Sequence, residues 1–275
     1  MELLNILALA LAPTLSLAFF IYMADRYDKE PLKWLFLAFL LGAVVIIIPV
    51  FYENFIERFG LYVDPHSKIR TAAYAFYGVG FGEEISKFLI LRLFFFRKKF
   101  NNEPVNAIVY SVMVGMGFAS TENIYYIYAS DTREITALVR ALTAIPAHAF
   151  FGVFMGYFMG QAKFTYSFKR TRLVATGVVL AMLLHGLYDL LLSIDWGNIW
   201  LNFAPVPVLL ITMFVFSLIM IIKAQRRSPF KKRKKWLKKI MQSKMPEFQE
   251  KLQKLKADLK KKRAEKKKGR KKKSD

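Results

Sequence analysis

Seven stretches of about 20 mostly apolar residues follow one another in this chain, at about 3–23, 34–52, 71–96, 105–128, 134–160, 173–193 and 199–222. A bilayer core ~30 Å thick is crossed by about 20 residues of helix. In lipid, every backbone N–H and C=O must be bonded within its own segment, so runs of this length fold as α-helices. The sequence predicts an all-α, polytopic transmembrane bundle of about seven spans. Short connections predict antiparallel neighbours. The first run is too long for the apolar part of a signal peptide, and Glu2 has the wrong sign for its leader, so it reads as an uncleaved anchor.

The formal net charge of +22 is concentrated at one end. Of 42 Lys and Arg residues, 25 lie in 223–275, against five acids. The chain therefore divides into a nearly neutral membrane domain, 1–222, and a basic tail, 223–275. Basic loops stay on the cytoplasmic side. That rule puts the tail in the cytoplasm of a cell-membrane protein and, with seven spans, Met1 outside. The Arg97-Lys98-Lys99 turn and the loop with Lys163, Lys169, Arg170 and Arg172 agree. The external loop 53–70 carries three basic residues and fits less well.

In the tail, Trp236, Ile240, Phe248, Leu252, Leu255 and Leu259 recur at mostly helical spacing. This is the pattern of a basic amphipathic helix on a membrane surface, with anionic lipids as its partner. Beyond about 264 the Lys-rich run is expected to be disordered. No nucleic acid partner is expected, because the run has neither interleaved aromatics nor a folded reader module. With no cysteine, disulfides, a thiol nucleophile and thiolate metal sites are excluded.

A charged side chain at mid-bilayer costs about 2.5–3.5 kcal/mol even on the lenient insertion scale. This chain places several within its apolar runs: Glu83, Glu84 and Lys87 in the third, Glu122 beside Asn123 in the fourth, His148 in the fifth, and His185 with Asp189 in the sixth. On a helix, Lys87 reaches both Glu83, four residues back, and Glu84, three back. Asp189 shares a face with His185 and can fix its tautomer, as carboxylates do for catalytic or ligating histidines. Adjacent carboxylates in low dielectric suit a general base. Each residue alone also has a structural reading, such as a buried ion pair or a satisfied core histidine. Several ionisable groups on four spans at similar depth favour a site. Gly152, Gly156 and Gly160 form a small-residue ridge that suits close packing around His148. Pro146 is expected to break the span locally.

These segments resemble the PrsW family of intramembrane proteases, related to the CAAX-processing and Abi superfamily. Glu83-Glu84-x-x-Lys87, Phe118-x-x-x-Glu122, His148, and His185 with Asp189 carry the resemblance, in order and on separate spans. Asp25-Arg26-Tyr27-Asp28-Lys29-Glu30-Pro31 looks like that family's first cytoplasmic turn. The resemblance implies cleavage of membrane-tethered proteins such as anti-sigma factors, hence a single-span membrane protein as substrate.

Two mechanisms stay open. With zinc, Glu122, His148 and His185 form a His₂Glu ligand set, and Glu83 or Glu84 activates water. Without metal, the histidines donate to the developing oxyanion. The rivals from other classes are a proton- or ion-coupled transporter, whose relays use the same residue types, and a non-catalytic membrane scaffold.

Overall fold

The computed structural model describes residues 2–64 and 66–231, and in the tail only 236, 240, 241, 245, 249, 251 and 255. Those tail positions are helical; Phe248, Leu252, Leu259 and the stretch expected to be disordered lie outside the described residues. The chain divides into two compact units, Met1–Ser228 and Pro229–Asp275.

The first unit is all-helical among its described residues. Its helices are α1 (Glu2–Ala24), α2 (Leu32–Val45), α3 (Ile47–Glu57), α4 (Lys68–Ala73), α5 (Phe81–Ile90), α6 (Pro104–Ala129), α7 (Arg133–Leu142), α8 (Ala144–Lys163), α9 (Ser167–Ser193), α10 (Ile199–Phe203) and α11 (Pro205–Arg226). Six stretches are long and apolar enough to cross a membrane: Leu4–Ala24, Leu32–Glu57, Pro104–Ala129, Arg133–Lys163, Ser167–Ser193 and Ile199–Arg226. The protein is a multi-pass membrane protein.

The expected third span differs in kind. Residues 68–95 form one continuous helical rod, but Glu83, Glu84 and Lys87 make it too polar to qualify as a lipid-facing span. Two π-helical stretches widen the rod, Tyr74–Gly80 and Leu91–Phe95. Each residue inserted by a π turn rotates the downstream side chains by about 100° relative to an unbroken α-helix. The first stretch directly precedes Glu83 and so sets the face on which the acids emerge. That face is covered by protein, since Glu83, Glu84, Ser86 and Lys87 are all buried.

Two spans are broken where proline predicts it. Pro49 and Pro146 have no N–H to donate four residues back. The breaks fall at Ile46, between α2 and α3, and at Thr143, between α7 and α8.

Glycine sets how closely the helices approach α6, the most deeply buried of them. A Cβ on Gly160 would lie 2.2 Å from the Pro104 carbonyl oxygen, and one on Gly156 2.6 Å from that of Ala107. Gly117 does the same for α2: an added Cβ would lie 1.9 Å from the Phe39 carbonyl oxygen. Backbones that touch at these points press α8 and α2 against α6 with no side chain between them.

The loop between α1 and α2 is tied to the start of α6. Glu30 is buried and accepts from the Tyr110 hydroxyl and the Asn106 amide. Glu103, also buried, lies nearby. Both sit outside the spans. Burial pushes each carboxyl up to about 7, reinforced by Asp25 and Asp28. A folded pKa above the ordinary 4.5 means that the fold holds its protons while the unfolded chain releases them. Stability contributed here is complete below about pH 4.5 and is lost as pH rises to about 7. Thermal unfolding in detergent from pH 5 to 8 should show a loss on the order of 2–4 kcal/mol from these two groups. The Glu30→Gln/Glu103→Gln variant should show a flatter profile. An unchanged slope would mean that the two acids do not hold those protons.

Candidate active site

The expected polar residues converge from four helices. The rod 68–95 and α9 are in backbone contact: a Cβ on Gly80 would lie 2.7 Å from the Met182 carbonyl oxygen, and one on Gly186 2.9 Å from the Phe76 Cα. This approach brings His185 onto Glu84, with Nδ1 2.9 Å from Oε1. The glycine ridge on α8 does the same for His148, whose Nε2 lies 2.8 Å from Glu122 Oε2 on α6. The two imidazoles meet edge to face, 5.2 Å between ring centres, and Phe151 stacks on His185 at 4.6 Å.

Lys87 occupies the centre. Its Nζ lies 3.0 Å from Glu83 Oε2, 2.8 Å from Glu84 Oε1 and 3.2 Å from His148 Nδ1, with the Phe118 ring 4.0 Å away. An ammonium can only donate. His148 Nδ1 therefore accepts from Lys87, which leaves Nε2 carrying the proton given to Glu122. His185 Nδ1 faces Glu84, and its Nε2 lies 3.3 Å from Asp189 Oδ2 and 3.8 Å from Glu83 Oε2. His148 thus turns Nδ1 to Lys87 and Nε2 to Glu122, whereas His185 turns Nδ1 to Glu84 and Nε2 toward both Asp189 and Glu83.

The same oxygen of Glu122 is ion-paired with Arg140 of α7, Nη2 to Oε2 2.9 Å. Arg140 Nε also donates to Asn123 Oδ1 at 2.5 Å, and the guanidinium lies over Tyr126 at 4.1 Å. Asn123 thus touches the site through Arg140. The spacing of the sequence singles out neither Arg140 nor Glu53. Arg140 sits on α7, a short amphipathic helix that ends just before the break at Thr143, within the span that Pro146 was expected to break. Glu53 was assigned to a loop, but α3 continues through it.

Glu83, Glu84, His148 and His185 are buried, and one potential ligand atom from each lies within 4.8 Å of the others. Two imidazoles with carboxylates are donors suited to zinc. This foursome differs from the expected ligand set, in which Glu122 stood beside the two histidines. Of the four, Glu83 alone lines an open cleft of about 420 Å³ between α3 and α6. The site thus has a closed inner end with ligand chemistry and a carboxylate that opens to the outside.

A buried cluster of acids and histidines within a helical membrane bundle suits an intramembrane hydrolase and, equally, a proton relay. The comparisons narrow the class. Residues 30–221 match the family model described as PrsW family intramembrane metalloprotease, and the chain belongs to that family. It is 34% identical over 195 residues to Protease PrsW of Geobacillus kaustophilus, covering 70% of this chain and 83% of that one. With Protease PrsW of Clostridioides difficile it shares 35% identity over 197 residues, 70% of this chain and 81% of the relative. With that of Shouchella clausii it shares 34% over 222 residues, 80% and 96% of the two chains. No solved structure matches. The protein is a membrane protease, which sets aside the transporter reading.

Proposed function

We propose that the protein is a zinc-dependent intramembrane endopeptidase that cuts a single-span membrane protein near the external end of its span. The observation that carries this reading is the division of labour among four buried residues, with Glu83 on the cleft and Glu84, His148 and His185 behind it. Glu84, His148 Nδ1 and His185 Nδ1 are the proposed ligands, a His₂Glu set. Glu122 moves from the ligand role to an orienting one, since it accepts from the far nitrogen of His148, as Asp189 is placed to do for His185. Bound there, zinc would polarise the scissile carbonyl and acidify a water. Glu83, on the cleft, is placed to take a proton from the attacking water and to deliver it to the leaving amine. Lys87 neutralises the paired carboxylates whenever no other cation does so.

The topology proposed with this reading counts the rod 68–95, shielded by its neighbours, as a seventh crossing; Met1 is then outside and the tail is in the cytoplasm, held to anionic lipid. Glu53, Glu83 and Glu122 then lie toward the external side, where water reaches the cleft. A membrane-tethered regulator such as an anti-sigma factor fits the substrate class that the family resemblance implies.

Elemental analysis of the protein purified in detergent tests the reading. Near-stoichiometric zinc is expected in the wild type, with loss of both zinc and cleavage in His148→Ala and in His185→Ala. Cleavage that persists in metal-free protein would replace this mechanism with one in which the histidines donate to the oxyanion.

A further inference from the structure

The cleft beside Glu83 is lined by four carboxylates, Glu53, Glu57, Glu83 and Glu122, and by no Lys, Arg or His. Three of the four already have partners. Glu83 is bonded to Lys87, Glu122 is held by Arg140, and Glu57 accepts from the Tyr74 hydroxyl at 3.0 Å. Glu53 makes no ion pair among the described residues. The other charged groups that line the cleft with it are Glu57, Glu83 and Glu122, all acidic. It is half-buried on α3, opposite the glutamate that meets the substrate. An unpaired carboxylate in so acidic a wall is stabilised when a cation enters.

We propose that Glu53 is a specificity residue that receives a Lys or Arg side chain of the substrate, next to the bond that is cut. This rests on the protease reading and names its substrate more closely: a single-span protein with a basic residue at the external end of its span. The cleft volume falls within the ~300–1,000 Å³ of ligand-sized sites. An extended segment is the form to be cut there, since the carbonyls of an intact helix are already hydrogen-bonded. Asn54, Thr121, Tyr125 and Tyr126 supply the rest of the cleft's polar lining.

The test uses the full-length protein in detergent and fluorescent synthetic single-span helices. The helices share one sequence and carry either Lys or its uncharged analogue norleucine at each of several successive external positions. Binding is read by anisotropy on protein carrying Glu83→Gln, and cleavage by mass spectrometry on protein with Glu83 intact. At one position or more, the Lys helix should bind about ten-fold tighter than its norleucine twin. Adding Glu53→Gln should erase that gap, and Glu53→Lys should transfer the preference to a Glu-bearing helix. Equal binding of the twins at every position, or a Lys preference that survives Glu53→Gln, overturns the proposal. Charge-dependent binding with no Glu83-dependent cleavage would overturn the protease reading and leave the subsite standing.

Discussion

Glu83→Gln should leave the protein folded and still able to bind zinc, yet slow cleavage by about 10²–10⁴, the contribution of a positioned general base. The amide keeps the shape of the side chain and removes its capacity to take a proton. Glu83 lines the cleft, where a water and a peptide carbonyl can reach it. Glu84→Gln should behave differently despite its adjacency. Glu84 is 1% exposed and bonded to Lys87 Nζ and His185 Nδ1. Its loss should lower metal content and thermal stability together with activity. The measurement is zinc content, melting temperature and cleavage rate on both variants side by side. If Glu83→Gln were the one to lose its metal while Glu84→Gln kept it, the two roles would be exchanged.

Lys87→Met should be among the most damaging substitutions to the metal-free protein. Lys87 is the cation in contact with both buried glutamates, at 3.0 and 2.8 Å. Breaking a buried ion pair by removing one partner typically costs about 3–5 kcal/mol, because the other charge is left uncompensated. Here two charges are left. Unfolding in detergent with a chelator present should show the full loss. Adding Glu83→Gln to Lys87→Met should restore part of it, since one stranded charge disappears. If the double variant were no more stable than Lys87→Met, the glutamates would have found another partner, and the central position of Lys87 would not account for the loss.

Much of this site was legible before any coordinates. The spacing of Glu83, Glu84 and Lys87, and of His185 and Asp189, is local helix geometry, and local geometry survives folding. The cost of a charge in a membrane did the rest: an ionisable group in an apolar run needs a partner, and the runs offered only each other. What escaped were residues whose helices the sequence misdrew. Arg140 reaches Glu122 because the chain breaks at Thr143 and α7 folds as a separate short helix. Glu53 reaches the cleft because α3 outlasts the break at Ile46 and runs to Glu57. The prolines that cause these breaks are visible in sequence, but the direction the chain takes after a break is set by tertiary packing. Which carboxylate lies among the four buried potential ligands and which holds a histidine from outside also depends on ring orientation, and spacing along a chain carries no information about that.

The depth at which α6 is buried bears on how the protein is made. It is the central helix of the bundle, and nearly every side chain from Pro104 to Ser120 is hidden by its neighbours. A helix that meets protein on all sides is free of the demand for greasiness that lipid imposes, and α6 carries Asn106, Ser111, Ser120 and Glu122 accordingly. During synthesis that freedom becomes a debt. The strongly apolar helices α1 and α2 emerge first and can enter the bilayer unaided, whereas the rod and α6 follow with their polar groups still unpaired. Their entry depends on the earlier helices waiting beside the translocon, and on α8 and α9 arriving soon after to enclose them. Glu83, Glu84 and Lys87 therefore lie on the stretch least able to enter alone, and the cluster is complete only once the helices that carry Glu122, His148 and His185 have docked on it.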